Sequence, residues 1–344
     1  MRPYWLFCAG EDSGDILGES LVREIREKGF DAIGSGGFRM QSAGLKEIVP
    51  FDTLPVNGFL DVLSHSIRLA KAYKSLRLAL QNESCKGLVA IDYPGFNLKL
   101  MQVALRLQKR VIYVEPPQIW AWKPQRIQNF LSPEAKKFVE LRALYEIEIE
   151  AYQKYGLPVK KISHPFSQMS KSCASVVENS SRTVLFFPGS RLSQAKRNLD
   201  LYSRIAKKVV QKKGKVLFVA SREELLQFLK ENLNAKFEII LSPQTAEERL
   251  LLLKSVKCVV GGPGSAIVEA NFAQTPCVVA SRIEPITFGM GKLFLKTKHL
   301  SLPNIQADLQ NKEALIPEFV QSVFSNVEAQ AAKVFASVEK FISF

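Results

Sequence analysis

Short apolar runs alternate with amphipathic stretches along almost the whole chain, and no other feature constrains the fold as strongly. The runs 4–9, 32–35, 87–91, 110–114, 137–140, 182–187, 216–220, 237–241, 257–260 and 276–280 read as strands. Most are separated by stretches with helical periodicity, such as 16–28, 98–108, 199–211, 223–233 and 246–254. A strand that is apolar at every position needs cover on both faces, and helices that return between parallel strands supply it. The pattern predicts parallel α/β sheets with helices on both sides. At 344 residues the chain exceeds the ~250–300 residues at which single cores stop growing, so two layered domains are expected. Their boundary should lie within 165–181, where Ser167-Gln168-Met169-Ser170-Lys171-Ser172 is small, polar and aperiodic. The segment 313–344 reads as long and helical, interrupted at Pro317, and packed on an existing domain.

Two strand-like runs end in turns suited to an anion. Pro188-Gly189-Ser190-Arg191 follows 184–187, and Gly261-Gly262-Pro263-Gly264-Ser265 follows 257–260. At such a strand-to-helix turn the first backbone N–H groups lack helical partners, the helix end carries partial positive charge, and glycine lets a phosphate come close. Arg191 adds a planar fork of donors matched to phosphate oxygens. Glu269, about one helical turn beyond Ser265, is placed to accept from a sugar hydroxyl. Two such turns in one domain point to a bound nucleotide.

The first half offers different chemistry. Gly10-Glu11-Asp12-Ser13-Gly14-Asp15 follows the first run and opens a helix, where Ser13 or Asp15 is a candidate cap. Carboxylates there repel phosphate, so a sugar or hydroxyl contact through Glu11, Ser13, Gly14 and Asp15 fits better than a dinucleotide; a plain βα connection is the bland alternative. Gly34-Ser35-Gly36-Gly37 lacks G-x-G-x-x-G spacing, so no nicotinamide cofactor is expected. Asp92 ends the run 87–91, at the edge of a parallel sheet that borders ligands. General base and cap of the helix near Gly95 are equally good readings of it. Trp120 and Trp122 lie beside paired prolines and read either as a cleft wall or as core fillers. Glu115 is a weaker carboxylate candidate at another strand end.

Charge adds a constraint. Lys and Arg number 47 against 33 Asp and Glu, a formal net charge of +14, which favours an anionic partner. On a helix over 59–80, Phe59, Val62, Leu63, Leu69, Ala70, Tyr73, Leu76 and Leu80 share a core-facing side. Leu60, Ile67 and Leu78 line up elsewhere, flanked by Arg68, Lys71 and Lys74, as on a helix that lies on anionic lipid. A solvated basic face with stray apolar residues is the competing reading. The five cysteines are scattered without C-x-x-C spacing, which fits a reduced, cytoplasmic compartment. The three histidines are too dispersed to suggest a metal site. No apolar stretch reaches the ~20 residues needed to span a bilayer.

Taken in order, Ala9 to Gly18, Gly58 with its helix, Ile91-Asp92-Tyr93-Pro94-Gly95-Phe96-Asn97, Trp120-Ala121-Trp122, Pro188 to Arg191, Gly264 to Glu269 and Ser301-Leu302-Pro303-Asn304 resemble the lipid-A-disaccharide synthase family. The resemblance implies a GT-B architecture: two Rossmann-like domains facing across a cleft, with a C-terminal helical segment returning to the N-terminal domain. Residues 1–165 would form the acceptor-binding, membrane-facing domain, 166–310 the UDP-sugar domain and 311–344 the returning segment. It implies inverting transfer from UDP-2,3-diacylglucosamine to 2,3-diacylglucosamine 1-phosphate, releasing UDP, with neither metal nor cofactor. Gly189, Ser190, Arg191, Gly264, Ser265, Glu269 and Asn304 would surround the donor nucleotide, and Asp92 would activate the acceptor hydroxyl. The helix 59–80 would meet the inner face of the cytoplasmic membrane as a peripheral contact; a homodimer is left open. Asp12, Glu115, Gln194, Ser163 and the Gly262-Pro263-Gly264-Ser265 turn depart from the family's usual pattern. Competing readings are a UDP-N-acetylglucosamine epimerase or hydrolase of the same fold and, in another class, a basic nucleic-acid-binding protein. No nucleic-acid module is present in the sequence to support the latter.

Overall fold

A computed structural model describes residues 2–54, 59–121, 123–167, 182–285 and 298–342, with side chains of 59–66 and of Leu309 outside the description. Gly58 and Trp122 therefore lie outside the described residues, as does the side chain of Leu60. The chain divides into two compact units, Met1–Pro165 and Phe166–Phe344.

The first unit is a seven-stranded parallel sheet in the order β3-β2-β1-β4-β5-β6-β7. Its strands are β1 (Tyr4–Ala9), β2 (Asp31–Ser35), β3 (Leu45–Glu47), β4 (Cys85–Ile91), β5 (Arg110–Val114), β6 (Val139–Ala143) and β7 (Val159–Lys161). Helices α1 (Asp12–Glu27), α2 (Phe38–Ser42), α3 (Phe59–Gln81), α4 (Pro94–Arg106), α5 (Pro133–Phe138) and α6 (Glu146–Gln153) connect them. The uninterrupted apolar runs are explained by the period-2 alternation of a strand covered on both faces. From β1, Tyr4, Leu6 and Cys8 enter one core while Trp5, Phe7 and Ala9 enter the other. Leu88 and Ala90 of β4 follow the first set, and Val89 and Ile91 the second.

The second unit repeats the plan with six parallel strands in the order β10-β9-β8-β11-β12-β13. They are β8 (Thr183–Phe187), β9 (Lys215–Ala220), β10 (Glu238–Leu241), β11 (Cys258–Gly261), β12 (Cys277–Ile283) and β13 (Glu318–Ser322). The helices are α7 (Leu192–Gln211), α8 (Glu223–Asn232), α9 (Ala246–Lys254), α10 (Ser265–Phe272), α11 (Leu302–Leu309) and α12 (Val327–Ile342). Val184 and Phe186 face one core, Leu185 and Phe187 the other.

In each sheet the strand order reverses once, between β1 and β4 and between β8 and β11. At such a reversal the connections leave in opposite directions and open a crevice at the strands' carboxyl ends.

Residues 311–344, read as a helical segment directed at the N-terminal domain, are built into the second unit. Glu318–Ser322 adds edge strand β13 beside β12. Ala331, Val334, Val338 and Ile342 of α12 enter the core that α7 covers. The strand after Pro317, Glu318-Phe319-Val320-Gln321-Ser322, is polar at both ends and only partly buried throughout, so it carries no apolar run of the kind that marks the central strands. Gln330 explains the docking: fully buried, it accepts from Arg282 Nη1 at 3.0 Å and donates to the Phe319 carbonyl at 2.8 Å.

Candidate active site

Both strand-order reversals carry the residues singled out in the sequence. In the first unit, Asp92 follows β4 and is exposed. Its backbone is left-handed, with φ 47°, and so is that of Tyr93, also at φ 47°. Two successive non-glycine residues in this region cost about 1–3 kcal/mol each and persist only where neighbours hold them. Asn97, fully buried one turn into α4, supplies much of that hold. Its Nδ2 donates to the carbonyls of Asp92 (2.8 Å), Ile91 (3.1 Å) and Cys8 (3.2 Å), tying the ends of β1 and β4 together. The Asp92 carbonyl also accepts from the Tyr113 hydroxyl at 3.2 Å, and the Asp92 N–H donates to Val114 at 2.8 Å. Tyr93 is the N-cap residue of α4 and Pro94 its first residue, so the capping reading of Asp92 falls away. Asp92 itself stands exposed at the end of β4.

The β1 turn is less uniform than its sequence suggested. Glu11, half-buried, is the N-cap residue of α1 without a side-chain cap, and Ser13 is half-buried in the first turn. Gly14 is buried against β1, where an added Cβ would stand 3.3 Å from that of Ala9. Asp15 is 3% exposed and accepts from the N–H groups of Arg39 (3.1 Å) and Met40 (3.0 Å). It thus caps α2 from outside, a structural task that a sequence shows only once α2 is placed. Trp120 packs on the core as a filler, half-buried, with its Nε1 buried and without a partner among the described residues.

Beside Asp92 the end of β5 repeats the backbone device. Glu115 is left-handed, with φ 51°, and its Oε1 accepts from the Leu144 N–H at 2.8 Å. Glu148, at the third position of α6, is 1% exposed. Burial, the adjoining Glu148 and nearby Asp92 hold the Glu115 carboxyl well above the carboxylate range. Burial likewise pushes Glu148 up to about 8, with Asp92 acting in the same direction.

In the second unit Arg191 is the N-cap residue of α7, at the end of the first glycine turn. Gly189 has φ 135°, and a Cβ there would meet the Gln194 side chain at 2.6 Å. A Cβ on Gly262 would stand 3.2 Å from Gln194 Nε2. Gln194 therefore lies against both turns, which sit side by side at the β8/β11 reversal. Gly264 caps α10, and nothing lies within 4 Å of where its Cβ would be. Gly264, Ser190 and Ser265 are exposed. Asn198, fully buried on α7, mirrors Asn97: its Nδ2 donates to the Pro188 carbonyl at 2.9 Å and its Oδ1 accepts from the Arg282 N–H at 2.7 Å.

Glu269 is 1% exposed. Its Oε2 accepts from Arg249 Nε at 2.5 Å, and Arg249 Nη1 donates to Ser242 at 2.5 Å. The guanidinium lies 4.9 Å from the Phe187 ring centre. One carboxylate oxygen of Glu269 is therefore pinned, and Oε1 has no hydrogen-bond partner among the described residues. Asn304 lies in α11. It is fully buried, and its amide is spent on the Ile316 backbone, donating at 2.7 Å and accepting at 2.9 Å, and on Glu318 at 2.8 Å. It pins the approach to β13.

Asn97 stood in the sequence only as the end of the Ile91–Asn97 motif, with no role given to it, and Asn198, Arg249 and Glu148 were not singled out. A polar residue inside an apolar helical stripe was the available signal.

On α3, Ala72, Leu76 and Leu80 are buried, while Arg68, Lys71 and Lys74 are exposed. Ile67 is 72% and Leu78 58% exposed. They are eleven residues apart, about three turns, and share a side of the helix. Ala70, expected on the core side, is exposed. No helix among the described residues is long and apolar enough to cross a membrane.

Residues 5–341 match the family described as Lipid-A-disaccharide synthetase. The lipid-A-disaccharide synthase of Trichlorobacter lovleyi is 30% identical over 91% of this chain and 83% of its own length. That of Geobacter metallireducens is 27% identical over 98% and 87%. Among solved structures, UDP-GlcNAc 2-epimerase from Neisseria meningitidis, bound to UDP-GlcNAc, superposes with a TM-score of 0.62 at 9% identity, covering 100% of this chain and 92% of that one. The Methanocaldococcus jannaschii UDP-GlcNAc 2-epimerase gives 0.61 at 15% identity over 100% and 93%. At such identities the likeness is one of fold.

Proposed function

The chain belongs to the lipid-A-disaccharide synthase family, glycosyltransferases of lipid A biosynthesis, and from that premise we propose how its residues divide the reaction. The second unit holds UDP-2,3-diacylglucosamine. The observation that carries this assignment is the meeting of the two glycine turns at Gln194. Backbone N–H groups at the starts of α7 and α10, with the Arg191 guanidinium, receive the diphosphate. Pinned Glu269 turns Oε1 to the ribose hydroxyls.

The first unit receives 2,3-diacylglucosamine 1-phosphate. Asp92 accepts the proton of the acceptor hydroxyl as its oxygen attacks the anomeric carbon of the donor. The bond from that carbon to the β-phosphate oxygen breaks, its electrons leave with UDP, and the configuration inverts. Negative charge growing on UDP is met by Arg191 and the two helix ends, fixed in place before the reaction. Left-handed Asp92, held by Asn97 and Tyr113, keeps the base from turning back to cap α4.

Ile67 and Leu78 enter the headgroup layer while Arg68, Lys71 and Lys74 pair with anionic lipid, bringing acylated substrates to a peripheral enzyme on the cytoplasmic face. An epimerase or hydrolase needs no such face.

The test is turnover of labelled UDP-diacylglucosamine with the acylated acceptor. D92N should form disaccharide at least roughly 100-fold more slowly, the scale of a lost general base, and bind UDP as wild type does. Donor consumption without disaccharide in the wild type, or near-normal turnover in D92N, would sink the assignment.

A further inference from the structure

Glu148 poses a problem of hydrogen-bond supply. It is 1% exposed, and neither carboxylate oxygen has a donor at full hydrogen-bonding geometry among the described residues. The groups nearest to serving it are the Tyr145 N–H, the Gln118 amide and the Glu115 carboxyl. Neighbouring donors are committed elsewhere: Tyr152 OH donates to the Pro117 carbonyl at 2.9 Å, Tyr113 OH to that of Asp92, and the Leu144 N–H to Glu115 itself. Two adjoining carboxylates, Glu148 buried and Glu115 half-buried, both ionised and with Glu148 lacking donors, would pay desolvation and repulsion together. A proton on one makes it the missing donor and removes one of the charges.

We infer that Glu115 and Glu148 share a single proton as a hydrogen-bonded carboxyl–carboxylate pair beside Asp92, and that Glu115 is a positioning residue that confines the pair to one negative charge. Its bearing on Asp92 rests on the catalytic reading above; the pair itself does not. The charged or titratable groups facing it are Asp92 at the end of β4, the Tyr113 and Tyr152 phenols held neutral by burial, and Arg126 near both phenols. Above the pair's range the proton goes to solvent, and a second charge appears next to Asp92.

The sign follows from linkage. Folded protein keeps a proton that unfolded chain releases near 4.5, so stability is complete below that pH and declines as pH rises from there until the pair itself gives up the proton. Over that window the folding equilibrium constant of wild type, relative to E115Q, falls about tenfold per pH unit for one proton.

The experiment uses the full chain labelled with 13C-glutamate. Infrared spectra at neutral pH should show one protonated carboxyl that vanishes at alkaline pH and is missing in E115Q, whose amide replaces the acid as donor to Glu148. Urea unfolding should find E115Q at least as stable as wild type at neutral pH and E115A clearly less so. Turnover of wild type should fall on the alkaline side, and that fall should be absent in E115Q. No protonated carboxyl at neutral pH, or E115A as stable as E115Q, overturns the pair. An infrared band without any disaccharide synthesis would leave the pair standing and remove only its catalytic role.

Discussion

Replacing Arg249 with methionine removes the hydrogen-bond partner of Glu269 while keeping most of the volume. The side chains of the pair are 11% and 2% exposed, so the carboxylate left behind is uncompensated. Breaking one side of a buried pair costs about 3–5 kcal/mol. The lost hydrogen bond to Ser242 and the contact with Phe187 fall within that range and are not added to it. Against a typical stability of about 5–15 kcal/mol, R249M should bring the second unit near its unfolding threshold. In R249M/E269Q the stranded charge becomes a neutral amide whose unmet bonds cost about 1–3 kcal/mol, so the double variant should regain about 2 kcal/mol over R249M. Urea unfolding at fixed pH measures both differences. Calorimetric titration with UDP and 2′-deoxy-UDP then reads the site: R249M should lose much of wild type's preference for the ribose hydroxyl, because Glu269 is no longer pinned. A loss under about 1 kcal/mol, or a double variant no more stable than R249M, refutes the account of Glu269 as an anchored carboxylate.

Other outcomes follow from the same geometry. N97L removes the donor shared by the Cys8, Ile91 and Asp92 carbonyls, of which that of Asp92 keeps the Tyr113 hydroxyl, and should cost at least about 1–3 kcal/mol, with turnover falling more than UDP affinity; unchanged turnover would free Asp92 from dependence on Asn97. G189A combines a positive φ with a clash against Gln194 and should weaken UDP binding at least tenfold by calorimetry, with partial recovery in G189A/Q194A. K71Q/K74Q should reduce sedimentation with anionic vesicles about 30-fold, from roughly 1 kcal/mol per cation, without changing thermal stability. An equal loss on neutral vesicles would contradict the electrostatic part of that reading. Burial lowers the His164 imidazole to about 4, so its stabilising share is complete above about pH 6.5 and is lost as pH falls towards 4, at about 1.4 kcal/mol per pH unit. H164Q should flatten that acid limb in urea titrations.

The layered fold was legible because buried parallel strands are apolar at every position and the connecting helices keep their stripe, as β1, β4, β8 and α7 show. Edge strands β3, β7 and β13 are covered less completely and carry no uninterrupted apolar run, and β13 was read as helix for that reason. Glycine turns and Asp92 could be found because strand, turn and helix follow one another in sequence. Asp15, Asn304, Arg249 and Glu148 could not be assigned that way, since their partners lie in other elements. Asp15 and Asn304 have the composition of site residues, and only their hydrogen bonds reveal a structural duty. The Glu115–Glu148 pair joins a strand end to a helix start across β6, a proximity that no local pattern encodes.

The buried chain of contacts from Pro188 through Asn198 and Arg282 to Gln330 also orders events during synthesis. Translation delivers the first unit complete, with its own sheet and both of its cores. The donor turn is different: Asn198 is made early, but Arg282 arrives some eighty residues later, and the Gln330 that locks Arg282 comes later still. A nascent chain halted before α12 would carry every residue proposed to touch UDP and still lack the brace that fixes the turn holding its phosphates. The buried chain of hydrogen bonds that reaches Pro188 is therefore completed only when the last helix has been made.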